Sequence, residues 1–176
     1  MLGAVIAAGR HHSEVFERIR PGFDLAQARQ VRREQDWPAF LPSDLYPDAV
    51  PTLSRLRALG YRVALAANQP LSMMTGLRES GIESDLVACS EQWGVEKPAP
   101  EFFRRLIAAA GLTPERIAYV GDRIDNDVLP AKAAGMAAIF LRRGPWGVIQ
   151  SSWADAAKAD LKIESLTELP GALSRL

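Results

Sequence analysis

The pattern of apolar and polar positions changes near residue 47. Before it, apolar residues recur at helical spacing among many charges, which predicts two helices between residues 2 and 35, broken where Pro21 and Gly22 stop a helix. After it, short apolar runs alternate with stretches of helical spacing. The runs that we interpret as strands are 61–67, 86–89, 117–120, 137–141 and 161–163.

Glycine and proline mark the ends of the helices between these runs. Gly60 and Gly111 follow predicted helices, and Pro98 precedes another. Strands that alternate with helices in this way pair in parallel through right-handed crossovers. The sequence therefore predicts an α/β fold with a doubly wound parallel sheet over residues 47–176, preceded by a helical segment over residues 1–46.

Polar side chains follow three of the predicted strands. Asn68 comes directly after the first strand, and Lys97 lies in the loop after the second. Asp122 and Asp127 follow the third. Because ligands of such sheets bind beyond the carboxyl ends of the strands, we expect these four side chains to lie on one rim.

An amide, a lysine and two carboxylates suit a phosphoryl group together with Mg²⁺, which prefers carboxylate and water oxygens. We expect Asp122 to be a direct metal ligand, and Asp127 to bind the metal or its water. Lys97 would neutralise phosphate oxygens as charge develops on them, and Asn68 would donate a hydrogen bond to the phosphate. Lys97 and Asn68 are therefore the candidate phosphate-binding and catalytic residues.

Each of these residues also has a structural interpretation when it is taken alone. The acidic cluster at 122–127 precedes a predicted helix, where such residues are ordinary caps. Lys97 alone is most often a solvated surface residue, and Asn68 alone is a turn residue. Arg142 and Arg143 follow the last main strand and could contact an anionic substrate, although exposed arginines are common.

Two segments carry a resemblance to a known family. They are WGVEKPAPEFF at 93–103 and YVGDRIDNDVLPAKAAGM at 119–136. Together with Asn68, they resemble the second, third and fourth motifs of the haloacid dehalogenase-like (HAD) superfamily, and the resemblance extends over residues 46–147. It implies a Rossmannoid sheet, a helical cap to which residues 1–46 would belong, and Mg²⁺-dependent hydrolysis of a small phosphate ester through an aspartyl-phosphate intermediate.

The aspartate nucleophile that the resemblance implies has no counterpart in this sequence. In the family it ends the first strand, in the middle of the sheet, within an Asp-x-Asp-like motif, and no such motif precedes Asn68. We expect the central strand to be missing, the isolated chain to be inactive, and the natural protein to start earlier. Alternatively, residues 4–8 act as a substitute strand, or the chain is a non-catalytic descendant. Ala67 also stands where the family usually has a hydroxyl residue.

Charge and cysteine content narrow the choice of partners. Lys+Arg and Asp+Glu both number 21, so the chain has no net field to attract nucleic acid or an anionic membrane surface. No apolar stretch approaches the roughly 20 residues that span a bilayer.

The single cysteine, Cys89, excludes an internal disulfide and favours a cytoplasmic location. We expect a small phosphorylated metabolite as the partner, and the open sheet edge would allow a strand-pairing dimer.

Two other functions fit the same residues. A non-catalytic module could use the site to bind a phosphorylated metabolite, or use its open sheet to hold a partner strand. A true haloacid dehalogenase shares the fold but needs no magnesium, and the full acidic cluster at 122–127 argues against it. The sequence therefore favours the metal-dependent phosphatase.

Overall fold

Five short apolar segments form the β-strands of the computed structural model, which describes residues 1–10, 12–34, 41–71 and 73–176. Small and branched apolar residues dominate these strands, as is usual where a parallel sheet packs on both faces. The first strand begins at Ala64 and is therefore shorter than the predicted run 61–67. The strands are β1 (Ala64–Ala67), β2 (Leu86–Cys89), β3 (Ala118–Gly121), β4 (Ala137–Leu141) and β5 (Leu161–Ile163).

Helices precede and connect these strands. Within the described ranges, none of them has the length and apolar character needed to cross a bilayer. A π-helical turn over Ile124–Val128 leads into the helix that begins at Leu129, and 3-10 turns lie at Pro42–Asp44, Pro114–Arg116, Ala154–Lys158 and Leu166–Glu168. The α-helices are α1 (Leu2–Ala7), α2 (Glu14–Ile19), α3 (Leu25–Glu34), α4 (Ala49–Ala58), α5 (Met73–Glu79), α6 (Ser90–Trp93), α7 (Pro100–Ala110), α8 (Leu129–Ala133), α9 (Gly144–Gln150) and α10 (Leu169–Leu173).

The strands pair in parallel, but in two separate groups. β1 pairs with β2, so that Ala64 lies opposite Leu86. β4 pairs with β3 on one side and with β5 on the other, with Ile139 opposite Leu161. Among the described residues, no strand pairs with the second edge of β1 or of β3. The parallel α/β fold is confirmed, and its sheet is interrupted between β1 and β3.

Helices on both faces hold the two groups of strands together. On one face, Phe102 and Phe103 of α7 are fully buried against Tyr119 of β3 and Phe140 of β4. On the other face, helices α4 and α10 pack together over β4 and β5, in a cluster that includes Leu56, Leu169, Ile139 and Ile163. Helix α7 also contacts β2, whose Ala88 belongs to the first cluster, so this layer of helices bridges the interruption in the sheet.

The interruption forms an apolar cavity of about 820 Å³, which we call the slot. Its walls include the edges of β1 and β3, and side chains of α4, α7 and α10 close its sides. The residues of β1 remain exposed or half-buried, whereas four of the five residues of β4 are buried. Parallel strands are normally buried on both sides, so the slot accounts for the exposure of β1. Apolar residues that line it include Leu65, Ala66, Leu106, Tyr119, Val120 and Leu173.

The hypothesis that residues 4–8 act as a substitute strand is wrong. Residues Leu2–Ala7 form helix α1, whose Val5 and Ile6 are fully buried. Helix α1 packs against α9, far along the chain, rather than in the slot. Alanine and leucine favour a helix over a strand in this segment. Gly9 adopts φ 68°, a left-handed conformation that ends the first helix. The described part of residues 2–35 therefore contains three helices rather than the two predicted.

Asp160 ties β4 to a neighbouring helix through two hydrogen bonds. Its carboxylate accepts from the Ala138 backbone N–H at 2.8 Å and from the Lys132 ammonium at 2.5 Å. The hydrogen bond from Lys132 and that from Ala138 hold the pKa of Asp160 below its ordinary value. The charged carboxylate therefore stabilises the folded state.

We predict that replacing Asp160 with Asn lowers stability at neutral pH and has a smaller effect in acid. A depressed folded-state pKa contributes stability above the ordinary aspartate pKa of about 4, and that contribution disappears as the pH falls through the folded-state pKa. Urea unfolding of the wild type and of Asp160→Asn at a series of pH values measures this difference. A difference in unfolding free energy that does not change with pH would contradict the assignment.

Candidate functional site

Polar residues that follow β2, β3 and β4 meet around one pocket of about 300 Å³. The pocket shares Ala66, Val120 and Leu141 with the slot, so it lies at one end of the slot. Ligands of parallel α/β sheets bind at this end of the strands. Its other lining residues are Tyr46, Lys97, Gly121, Asp122, Asp127 and Arg143.

A buried ion pair between Lys97 and Asp127 forms the centre of the pocket. The Lys97 Nζ and Asp127 Oδ1 atoms lie 2.6 Å apart, and the side chains are only 11% and 5% exposed. Lys97 Nζ also lies 3.5 Å from the Ala66 carbonyl oxygen and 5.6 Å from the centre of the Tyr119 ring. Burial alone would lower the pKa of Lys97, but the negative charge of Asp127, its hydrogen bond and the contact with Tyr119 together outweigh burial and raise that pKa. Lys97 is therefore a cation inside the pocket.

Tyr119 lies beneath this pair and keeps its proton. Burial, opposed by the positive charge of Lys97 and reinforced by the negative charge of Asp127, raises the pKa of Tyr119 to about 12. The phenol is therefore neutral at physiological pH. It packs against Phe103, with ring centres 5.3 Å apart, and so connects the ion pair to the apolar core.

Asn68 holds Lys97 in place through two hydrogen bonds. The Asn68 side-chain amide donates to the Lys97 carbonyl at 2.8 Å, and its Oδ1 accepts from the Lys97 backbone N–H at 2.7 Å. The end of β1 is thus fastened to the loop that carries the lysine. Only one of the two N–H groups of the amide is used in these bonds, and Asn68 is not among the residues that line the pocket. The phosphate-binding role of Asn68 stays a prediction.

The loop after β3 places Asp122 and Asp127 side by side. The π-helical turn brings Asp127 back toward the strand, where its Oδ2 accepts from the Arg123 N–H at 3.1 Å. A Cβ atom on Gly121 would lie 2.4 Å from the Cβ of Asp127, which is closer than real side chains approach. The glycine before Asp122 is therefore required, because only a residue without a side chain lets Asp127 approach the strand.

Asp122 is a half-buried carboxylate that forms no ion pair with another described residue. No other described residue donates a hydrogen bond to its side chain, and burial, followed by the negative charge of Asp127, raises its pKa. Two adjacent carboxylates, one of them already bound to Lys97, offer only oxygen atoms. Such a donor set is the kind that a hard divalent cation prefers. The described residues contain no group of three potential metal ligands, so a cation here would keep several water ligands.

A second layer of hydrogen bonds fixes the acidic loop. Arg123 forms an ion pair with Asp125, with contacts of 3.1 and 2.6 Å, and its guanidinium lies 4.0 Å from the centre of the Trp146 ring. The fully buried Gln150 accepts from the Ile124 N–H at 2.6 Å and donates to Asp125 at 3.0 Å. Asp125 therefore supports the loop rather than the pocket. No sequence pattern indicated a role for Gln150, because it lies on a helix far along the chain from the acidic loop.

Arg142 and Arg143, which are adjacent in the sequence, point in different directions. Arg142 is half-exposed and forms an ion pair with Glu164 at 2.5 Å. Arg143 lies in the wall of the pocket, where it forms an ion pair with Asp48 at 2.7 Å. Tyr46 borders the same wall. The role of Asp48 and Tyr46 was not expected from the sequence, because both precede the first strand and carry no motif.

The chain is similar to several phosphatases. It is 38% identical to glyceraldehyde 3-phosphate phosphatase of Methanopyrus kandleri over 104 residues, which are 57% of this chain and 45% of that protein. It is 37% identical to phosphoserine phosphatase of Thermus thermophilus over 103 residues, 57% of this chain and 41% of that protein. This chain therefore spans less than half the length of these two relatives.

A solved structure shows the same architecture. The HAD phosphatase from Thermococcus onnurineus superimposes with a TM-score of 0.66 and 25% sequence identity. The superposition covers 98% of this chain and 86% of that chain. The fold described above is therefore that of a known phosphatase structure.

A family comparison extends over most of the chain. The haloacid dehalogenase-like hydrolases match residues 3–135, which include β1, β2, β3 and the acidic loop. That range covers more than half of the 176 residues. The chain therefore belongs to the haloacid dehalogenase-like hydrolase family.

Proposed function

We propose that this chain forms the phosphate- and metal-binding side of a phosphatase site that acts on a small phosphate ester with Mg²⁺. The observation that carries the proposal is the buried Lys97–Asp127 ion pair beside Asp122, whose carboxylate forms no ion pair with another described residue. Lysine supplies a fixed positive charge, and the two carboxylates favour a divalent cation. The named activities of the two relatives, both phosphatases, support the same reaction class.

Each residue of the pocket has a defined part in this proposal. Lys97 stabilises the negative charge on the transferred phosphoryl group, because it is held as a cation by its buried partner. Asp122 would hold Mg²⁺ directly, and Asp127 would bind one of its waters, since Oδ1 of Asp127 is already bound to Lys97. When bound, the metal neutralises charge on the phosphate oxygens. Asn68 positions Lys97 through the Lys97 backbone.

The nucleophile in this proposal comes from a strand that occupies the slot. The pocket is lined by two carboxylates, Asp122 and Asp127, and both face the proposed cation. A strand between β1 and β3 would end at this pocket, because the slot and the pocket share Ala66 and Val120. A carboxylate at its end would attack phosphorus as the ester P–O bond breaks, and the leaving oxygen would take a proton. Water would then hydrolyse the acyl phosphate and release phosphate.

The slot also favours a second candidate function, in which a partner supplies the strand. Two parallel strand edges face each other across an apolar cavity, an arrangement that strand addition can fill. If that strand carries no carboxylate, the chain is a phosphate-binding or partner-binding module without turnover. In both candidate functions, residues 1–46 belong to a helical cap. Helix α1 of this segment contacts α9, which lies outside it.

The first test is the binding of inorganic phosphate in the presence of Mg²⁺, measured by isothermal titration calorimetry. We predict that Lys97→Met weakens phosphate binding by about 10- to 100-fold, the range expected when a charged hydrogen bond is lost. Asp122→Asn should abolish the dependence on Mg²⁺. Lys158→Met is the matched control, because Lys158 is an exposed lysine paired with Asp155. Equal phosphate binding by the wild type and Lys97→Met would contradict the proposal.

The second test adds a peptide that can bind in the slot as a strand between β1 and β3. We predict that an apolar peptide of five residues, the length of β4, followed by Asp, protects the backbone amides of β1 and β3 from hydrogen exchange. The same peptide should give Mg²⁺-dependent hydrolysis of p-nitrophenyl phosphate. A peptide that ends in Asn is the control, with protection but no hydrolysis. Protection by both peptides without hydrolysis by either would favour the non-catalytic module, and no protection by either would exclude strand binding in the slot.

A further inference from the structure

Arg143 has hydrogen-bonding capacity that the described residues leave unused. Its Nη1 donates to both carboxylate oxygens of Asp48, each at 2.7 Å. Its Nε and Nη2 form no hydrogen bond with another described residue, although the side chain is only 20% exposed and lines the pocket. Neither nitrogen is fully buried, because no buried side-chain nitrogen or oxygen atom of the described residues lacks a hydrogen-bond partner. The Nε–Nη2 edge is therefore available to a ligand.

The guanidinium is fixed in position before any ligand binds. Its Cζ lies 3.9 Å from the centre of the Tyr46 ring, so one face is covered. Asp48 is itself held by the Ser165 hydroxyl at 2.7 Å and by the Leu166 N–H at 2.9 Å. Burial raises the pKa of Asp48, but the hydrogen bonds from Arg143 and Ser165 outweigh it and lower that pKa. Asp48 therefore stays charged and keeps Arg143 in one orientation.

Arg143 borders the same space as the proposed metal ligand. Gly144, the next residue after Arg143, lies beside both Tyr46 and Asp122, since a Cβ on Gly144 would lie 3.6 Å from the Tyr46 hydroxyl and 3.7 Å from Asp122 Oδ2. Lys97 reaches the pocket from the β1–β2 half of the sheet, whereas Arg143 directly follows β4. The two cations therefore line one pocket from opposite halves of the sheet.

The pocket is small, and its two cations can serve different groups of one ligand. At about 300 Å³ it has room for a compound of a few carbon atoms. Lys97 and the two carboxylates form the phosphoryl side of the proposed function. The Nε–Nη2 edge of an arginine offers two parallel N–H donors, whose spacing matches the two oxygens of a carboxylate.

We propose that Arg143 binds a carboxylate of the substrate, so that the preferred substrates are phosphate esters of small carboxylic acids. This inference rests on the proposed phosphatase site, because it assumes that the phosphoryl group lies at Lys97. Arg143 is then a specificity-determining residue. Tyr46 and Asp48 position it, and neither contacts the carboxylate in this arrangement.

The test compares two ligands that differ in one group. Calorimetry with Mg²⁺ measures the binding of 2-phosphoglycolate and of ethyl phosphate, which has a similar size but no carboxylate. We predict that the wild type binds phosphoglycolate at least about 10-fold more tightly, as expected for a charge-assisted bidentate contact. Arg143→Lys keeps a cation for Asp48 but lacks the bidentate edge, so its preference should fall close to one.

Controls separate this inference from a structural role and from the proposed function. Arg143→Lys should unfold at the same temperature as the wild type, and Arg142→Lys, at a residue that pairs with Glu164 and does not line the pocket, should bind inorganic phosphate as the wild type does and keep the full preference for phosphoglycolate. If phosphate binds but the wild type shows no preference, or Arg143→Lys retains it, the carboxylate assignment is overturned while the proposed function stands. If none of the phosphate compounds binds to the wild type, both are overturned.

Discussion

The ion pair between Lys97 and Asp127 links the two halves of an interrupted sheet. Lys97 lies in the loop after β2, and Asp127 lies in the turn after β3, so their 2.6 Å contact crosses the end of the slot. Loss of one partner of a buried ion pair costs about 3–5 kcal/mol, because the other charge stays buried without compensation. Asn68 holds the lysine from β1, and Gly121 lets the aspartate approach β3. The same contact therefore organises both the fold and the pocket.

The slot is the second constraint on the molecule. β1 and β3 each have an edge that no described strand pairs with, yet the helices on both faces keep them on either side of one cavity. Unpaired parallel edges favour the addition of a strand, because backbone hydrogen bonds and apolar contacts are both available. The chain also spans less than half the length of the phosphatases from Methanopyrus kandleri and Thermus thermophilus. A strand in the slot would complete the sheet and end beside Lys97.

Much of this arrangement could be predicted from the sequence. Apolar runs and helix-ending glycines predicted the strands, and the rule for carboxyl ends of parallel strands predicted that Lys97, Asp122 and Asp127 would meet. Contacts between distant segments could not be predicted in this way. Asp48 and Arg143 are 95 residues apart, and no local pattern connects them. The α1 segment was ambiguous because short apolar runs fit both helix and strand.

Binding of Mn²⁺, a paramagnetic substitute for Mg²⁺, tests most directly whether the ends of the interrupted sheet form one cation site. In a two-dimensional nitrogen–proton NMR spectrum of the labelled chain, we predict that the amide signals of Gly121, Asp122 and Asp127 broaden first. Asp122→Asn should remove this effect. Broadening centred on exposed acidic residues such as Glu14 and Glu17, with the signals of the β3 loop unchanged, would contradict a cation site at the end of the slot.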